Sequence, residues 1–273
     1  MKYYLQLFLL IFLVSSCNQE TKRAENLLSD AQNYYEFREY ASAKLLLDSL
    51  KKTYPKELIV QREGLQLMRK VDLNEQERNL RYCDSMLVVC QLKADSLTKD
   101  FLFEKDATYD EVGKYTTKKQ KIENNSGKSY IRCSVDERGD MYLASVYCGT
   151  NPINHTRIKV SSSAGEHTET ENIPADGGLN YSFNNLGTTT EIVTYKRGKD
   201  GGVIQFICNR QNEMLKVEYL GGKKSYSIQI SSNDKNAVAE INELATVLSD
   251  IERLKTEIQK AEKRIGYLRT KTG

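Results

Sequence analysis

Tryptophan is absent from this chain, and proline and histidine are scarce, with three and two copies respectively. The shortage of proline permits long helices, and both the first and the last third of the sequence read that way. Two histidines, His155 and His167, are too few for a three-ligand zinc site without carboxylates, and neither falls in a His-Glu-x-x-His spacing. No Cys-x-x-Cys pair occurs, so a zinc ribbon or a thioredoxin-type site has no support. Charge of one sign is also missing. The 40 basic and 37 acidic residues leave +3, which becomes about +2 if Lys2 is removed with a leader, and no basic footprint for nucleic acid remains. After Val14 no apolar run approaches the ~20 residues that span a bilayer.

The amino terminus carries the clearest signal. Met1 to Tyr4 holds one positive charge, and Leu5 to Val14 is apolar except for Gln6. Ser15 and Ser16 follow, and then Cys17. A charged start, a short apolar core and a small-residue exit make a secretory signal rather than a membrane span. The run Val14-Ser15-Ser16-Cys17 resembles the lipobox of bacterial lipoproteins. That resemblance covers the signal only. It implies cleavage before Cys17, lipidation of Cys17, and attachment to the bacterial cell envelope, at the outer membrane, with its face left open. Several acyl chains together hold a protein on a bilayer where one alone would dissociate. The boundaries that follow are a signal at 1–16 and a polar tether at 17–23.

Residues 24–104 read as helix. Leu27, Ala31, Tyr34 and Tyr35 share one helical face, Arg38-Glu39 makes a turn, and Tyr40, Ala43, Leu46, Leu47 and Leu50 mark the face of a second helix closed by Pro55. Ala31, Tyr34, Ala43 and Pro55 match the small, aromatic, small and proline positions of a tetratricopeptide repeat, which this segment resembles. No second repeat follows in register, so the peptide groove of long arrays is not carried over, and a capping helical hairpin is expected. From residue 57 one long helix is expected, with a break near Gly64 or Val71-Asp72 left open. Leu73, Leu80, Leu87, Ala94 and Phe101 alternate with Gln76, Cys83, Cys90 and Leu97 in a heptad seam. Residues 233–273 carry a matching stripe from Ile241 to Leu268. The two are expected to pair antiparallel within one chain, as a stalk; pairing between two molecules is the rival arrangement.

Between them, residues 105–232 change character. The segment around Tyr115 to Lys121 shows little periodicity and reads as linker. From Tyr130 the period becomes two: Ile131, Cys133 and Val135, then Met141, Leu143, Ser145 and Tyr147. About nine short strands separated by Gly- and Asn-rich turns, Val203 to Cys208 among them, predict an antiparallel sandwich or barrel with no helix inside it. The fold class is therefore α+β.

Five cysteines remain beyond Cys17. Cys83 and Cys90 stand two helical turns apart, about 10.5 Å, beyond the reach of a disulfide. Cys133, Cys148 and Cys208 lie on expected strands, where burial and a disulfide are both open. No Gly-x-Ser-x-Gly elbow accompanies His155. Asp176-Gly177-Gly178 and Asp200-Gly201-Gly202 lack the alternating acids of a calcium loop and read as hairpin turns. Arg138-Gly139-Asp140, a tripeptide read by some adhesion receptors, also suits a tight turn. The Asp-Ser-apolar triplets beginning at Asp48, Asp84 and Asp95 resemble a bacterial O-glycan acceptor, but they fall on helices. No catalytic, cofactor or metal residue is assigned. The expectation is a lipid-anchored envelope protein, not an enzyme, that binds a protein or glycan partner through its β-domain. The alternatives are a carbohydrate- or peptide-binding accessory of an uptake or assembly system, and a hydrolase with no recognisable motif. A stripe of exposed aromatics drawn from Tyr142, Tyr147, Tyr181, Tyr195, Tyr219 and Tyr226 would favour sugar.

Overall fold

The structure, a computed structural model, describes residues 2–106, 108 and 111–272, without the side chains of 2–18 and 272. The side chain of Cys17, and with it the lipidation expected there, lies outside what it describes. The chain divides into two compact units. One comprises Met1–Met86 with Leu254–Gly273, and the other Leu87–Arg253.

In the first unit, α1 (Lys2–Glu36) and α2 (Tyr40–Thr53) form the expected hairpin. Helix runs through Gln19–Arg23, where the sequence read as tether. Arg38 turns the chain in the left-handed region, and α2 stops at Thr53, directly before Tyr54-Pro55. Ala24, Ala31 and Ala43 are fully buried, and their small side chains let the helices close on Tyr40, Leu47 and Leu50. Tyr34 is exposed instead of packed. Its neighbour Tyr35 takes the inner position and accepts a hydrogen bond from Asn74.

Helix α3 (Leu58–Leu97) is continuous through Gly64 and Val71. Gly64 serves packing instead: a Cβ there would stand 2.8 Å from Leu50. The final helix, α5 (Ser232–Thr272), runs antiparallel to α3, with Arg69 donating to the Lys271 carbonyl and Arg264 on Asp72 in this unit. Seam positions Leu73, Gln76, Leu80 and Cys83 are all at least partly buried, as a heptad requires.

In the second unit the seam continues through Leu87, Cys90, Ala94 and Leu97, beside the first half of α5. Phe101 leaves it. A short 3-10 turn, Thr98–Asp100, ends the helix, and Phe101 opens β1 (Phe101–Glu104). The supposed linker also has structure. Lys114–Thr117 is β2, and buried Gln120 donates to the Ile131 carbonyl and accepts from the Cys133 amide. Then follow β3 (Tyr130–Asp136), β4 (Met141–Gly149), β5 (Arg157–Ser162), β6 (His167–Glu169), β7 (Asn180–Asn185) and β8 (Thr188–Lys196). After α4 (Val203–Asn209) come β9 (Leu215–Gly221) and β10 (Lys224–Gln229).

The ten strands form two antiparallel sheets, β1-β2-β3-β4-β8-β7 and β10-β9-β5-β6, rather than a closed barrel. Ile131, Cys133, Val135 and Leu143 of the first share one core with Ile158, Val160, Val217 and Tyr219 of the second, and α5 adds Val238, Ile241 and Leu244. The expectation of a helix-free β region fails at α4. Val203-Ile-Gln-Phe-Ile-Cys208 is rich in strand formers, but its buried residues are Val203, Ile204 and Ile207, a helical spacing. Asp200 accepts from the Gly202 and Ile204 amides and so satisfies the first turn of this helix, which explains why Asp200-Gly201-Gly202 is no hairpin.

Candidate functional site

The alternation along β4 and β8 sends Ser145, Glu191, Val193 and Tyr195 inward, into an otherwise apolar core. Three of them are polar, and they converge on His155 from the loop that follows β4. His155 Nδ1 lies 2.8 Å from Glu191 Oε2, and Nε2 lies 2.9 Å from Ser145 Oγ. Ser145 Oγ in turn lies 3.3 Å from the Tyr195 hydroxyl. Glu191 also accepts the backbone amides of Ile153 and Asn154, each at 2.7 Å, and of His155 at 2.9 Å. Asn180 holds the same loop by donating to the carbonyls of His155 and Ile173. The Tyr219 ring meets the imidazole edge-on, with centroids 5.2 Å apart.

This chain of carboxylate, imidazole and hydroxyl has the connectivity of a hydrolytic triad. Its setting differs. Ser145, His155 and Glu191 are 0%, 1% and 2% exposed. Burial pushes the Glu191 carboxyl up, but the bonds from the His155 ring and the three amides outweigh it and hold the carboxyl below its ordinary value. Ionised Glu191, surrounded by N–H donors, places a proton on Nδ1. Burial pushes the Tyr195 phenol up to about 12, against hydrogen bonds from Ser145 and Thr170 that pull it down. The arrangement fixes a loop, with the Ser145 hydroxyl enclosed in the core. Sequence reading set His155 aside, yet the signal was present. Ser145 and Glu191 occupy inward phases of strands whose neighbours at that phase are Leu143, Tyr147, Val193 and Tyr195.

An open concavity lies on the opposite face of the same sheet. It has a volume of about 340 Å³ and a floor of Tyr130, Val146 and Ile192. Tyr181 and Phe183 of β7 rise along one wall, and Leu186 at the β7–β8 tip and Ile122 lie at its margin. Arg132 and Lys128 line it, and no carboxylate does among the described residues. Burial pushes the Tyr130 phenol up, and the Arg132 guanidinium opposes that, which reflects their proximity. A further concavity of about 420 Å³, between Phe101 and α5, has three of its charged groups in ion pairs: Lys119 with Glu240 at 2.9 Å, and Glu243 with Lys93 at 2.9 Å.

The aromatic stripe that would favour sugar does not form. Tyr195 and Tyr219 are fully buried, Tyr147 nearly so, and Tyr142 donates to Asp136 beside the Lys114 ammonium. Tyr226 packs edge-on against Tyr147, which leaves Tyr181 the one member of the set in the groove. The Arg138-Gly139-Asp140 turn is not a free tip. Gly139 packs on α5, its carbonyl accepts from Ser249, and Arg138 pairs with Glu111. His167 is exposed on β6. Cys83, Cys90, Cys133, Cys148 and Cys208 are all free thiols, and burial pushes the Cys133 thiol up. Among the described residues no cluster of three or more His, Cys, Asp or Glu is placed to hold a metal, and no helix is long and apolar enough to cross a membrane.

No protein-family model, no curated protein and no solved structure matches this chain.

Proposed function

We propose that this protein is a lipid-anchored component of the bacterial cell envelope, held through Cys17, and that its β-domain binds a partner without catalysing a reaction. The observation that carries the reading is the groove on the outer face of the six-stranded sheet. It combines exposed aromatic and apolar side chains with two cations and no carboxylate among its described lining residues. Such a surface suits recognition, since aromatic faces supply contact area and a few polar groups supply orientation. Ser145–His155–Glu191, which has catalytic connectivity, lies buried in the core, and this supports binding over hydrolysis.

A carbohydrate- or peptide-binding accessory is the second reading. Tyr181 and Phe183 stand beside Asn125, Asn185, Thr188 and Thr190, so ring-stacking and hydrogen-bonding groups adjoin.

Two measurements test the proposal. Replacing Cys17 by Ser should move the protein from the membrane to the soluble fraction, and unchanged retention would reject the anchor. Glycan and peptide arrays probed with the wild-type chain and with the Tyr181→Ala/Arg132→Ala double variant test the groove. Binding that survives the double variant would place recognition elsewhere.

A further inference from the structure

Four strands form the sheet edges: β1, β7, β10 and β6. Three of them carry charge, with Glu104 in β1, Lys224 in β10 and Glu169 in β6. Charge on an edge keeps a second strand from adding to it. The fourth, β7, reads Asn180-Tyr-Ser-Phe-Asn-Asn185 and has no charge and no proline. Phe183 at its centre is 50% exposed, and Leu186 at the adjoining tip is 98% exposed.

The register shows which backbone groups of β7 are free. Leu186 and Gly187, both at positive φ, close a two-residue turn between Asn185 and Thr188, which are paired. Residues 185, 183 and 181 therefore bond to β8, and 184, 182 and 180 point outward. Four bonds confirm this phase: the Thr194 amide donates to the Leu179 carbonyl, and the outward groups of Asn180 are taken by the Asp176 side chain and the Asp176 and Gly177 amides. Ser182 and Asn184 are left with amides and carbonyls facing solvent.

We infer that β7 pairs with β7 of a second copy of this chain, antiparallel about a twofold axis through Phe183. Only this register partners both outward residues of each copy. Ser182 meets Asn184 of the second copy, and the pair exchanges both backbone bonds. A shift one way brings Asn184 onto Asn180, whose groups are already used; a shift the other way brings Ser182 onto turn residue Leu186. With the axis at Phe183, the two Phe183 side chains sit opposite each other at a non-hydrogen-bonded position, where cross-strand side chains approach closest. The absence of charge on β7 removes like-charge repulsion from self-pairing. The two six-stranded sheets become one, and their grooves lie on the same face. Residues 181–185 of each copy, paired across the axis, bury less than the ~1,000 Å² of a tight interface, so the dimer is weak and concentration-dependent. It forms whether or not the groove binds a ligand.

Cysteine scanning in the full chain, purified in mild detergent, tests the register. At the Phe183 site the Cα atoms of the two copies would stand about 4.5 Å apart, within disulfide range. Phe183→Cys should give a covalent dimer on mild oxidation beyond any formed by the parent chain and its own thiols. Asn185→Cys, on the same face but four positions from its symmetry mate, should not. Equal crosslinking at both sites, or none at Phe183→Cys, would overturn the assignment. In sedimentation equilibrium the parent chain should show a monomer–dimer equilibrium. Phe183→Lys, which places two ammonium groups face to face, should weaken it about tenfold or more. A parent chain that stays monomeric up to ~1 mM would likewise overturn the pairing.

Discussion

In the helical unit the charged side chains lie toward the surface and the interior is apolar. Lys44 of α2 sits between Asp72 and Glu75 of α3, and Arg264 of α5 reaches the same Asp72, all of them partly exposed. In the β unit a carboxylate sits at the centre, and the loop at 153–155 is wrapped around it. The same ionic chemistry therefore has two different weights. At the surface, water competes with each partner, and an ion pair contributes little. In the core, Glu191 is stable only because every bond water would have made is replaced by one from the protein. Removing one partner there exposes the full desolvation cost of the others.

Breaking the core carboxylate should have the largest effect. Glu191→Ala leaves the His155 ring and three amides without an acceptor and should cost about 3–5 kcal/mol in urea unfolding. A loss below about 1 kcal/mol would erase the contrast between the units. The same residue sets an acid dependence. Its folded value lies below the ordinary 4.5, so its contribution is complete above pH 4.5 and fades as pH falls through the lowered folded value. Glu191→Gln should flatten that part of the stability–pH curve, followed by tyrosine near-ultraviolet circular dichroism. Leu50→Ala is the matching lesion in the helical core. It opens a void beneath Gly64 and should cost about 3 kcal/mol by the same measurement. Gly139→Ala comes next, at about 2 kcal/mol, because φ is +89° and a Cβ would stand 2.3 Å from Ser249 Oγ. Lys44→Met should have the smallest effect, under about 1 kcal/mol, since its ion pairs are partly exposed. A larger loss there would mean that the surface cluster acts as a core network does.

Periodicity carried much of the fold. The seam from Leu73 to Leu97, its partner on α5, and the alternation in β3 are legible because one more deeply buried face imposes one period. The failures share a cause. Residues 203–208 and 114–117 are short, and in short segments a capping side chain or a neighbouring strand outweighs propensity. Asp200 made a helix of a strand-like run, and pairing with β1 and β3 made a strand of Lys114–Thr117. Phe101 fitted the heptad by spacing, but the helix had already ended. The polar core was hidden for another reason. Nothing local joins His155 to Glu191, 36 positions downstream, and only the inward phase of Ser145 and Glu191 hinted that buried polar groups needed partners.

That separation bears on how the chain folds. The β4–β5 loop has few bonds of its own at residues 153–155; its amides point to a residue that reaches them only when β8 docks beside β4. Local turns close first, and contacts across tens of residues wait for the loop-closure entropy to be overcome. The loop should therefore gain hydrogen-exchange protection late in refolding, together with β8 and after the β3–β4 hairpin.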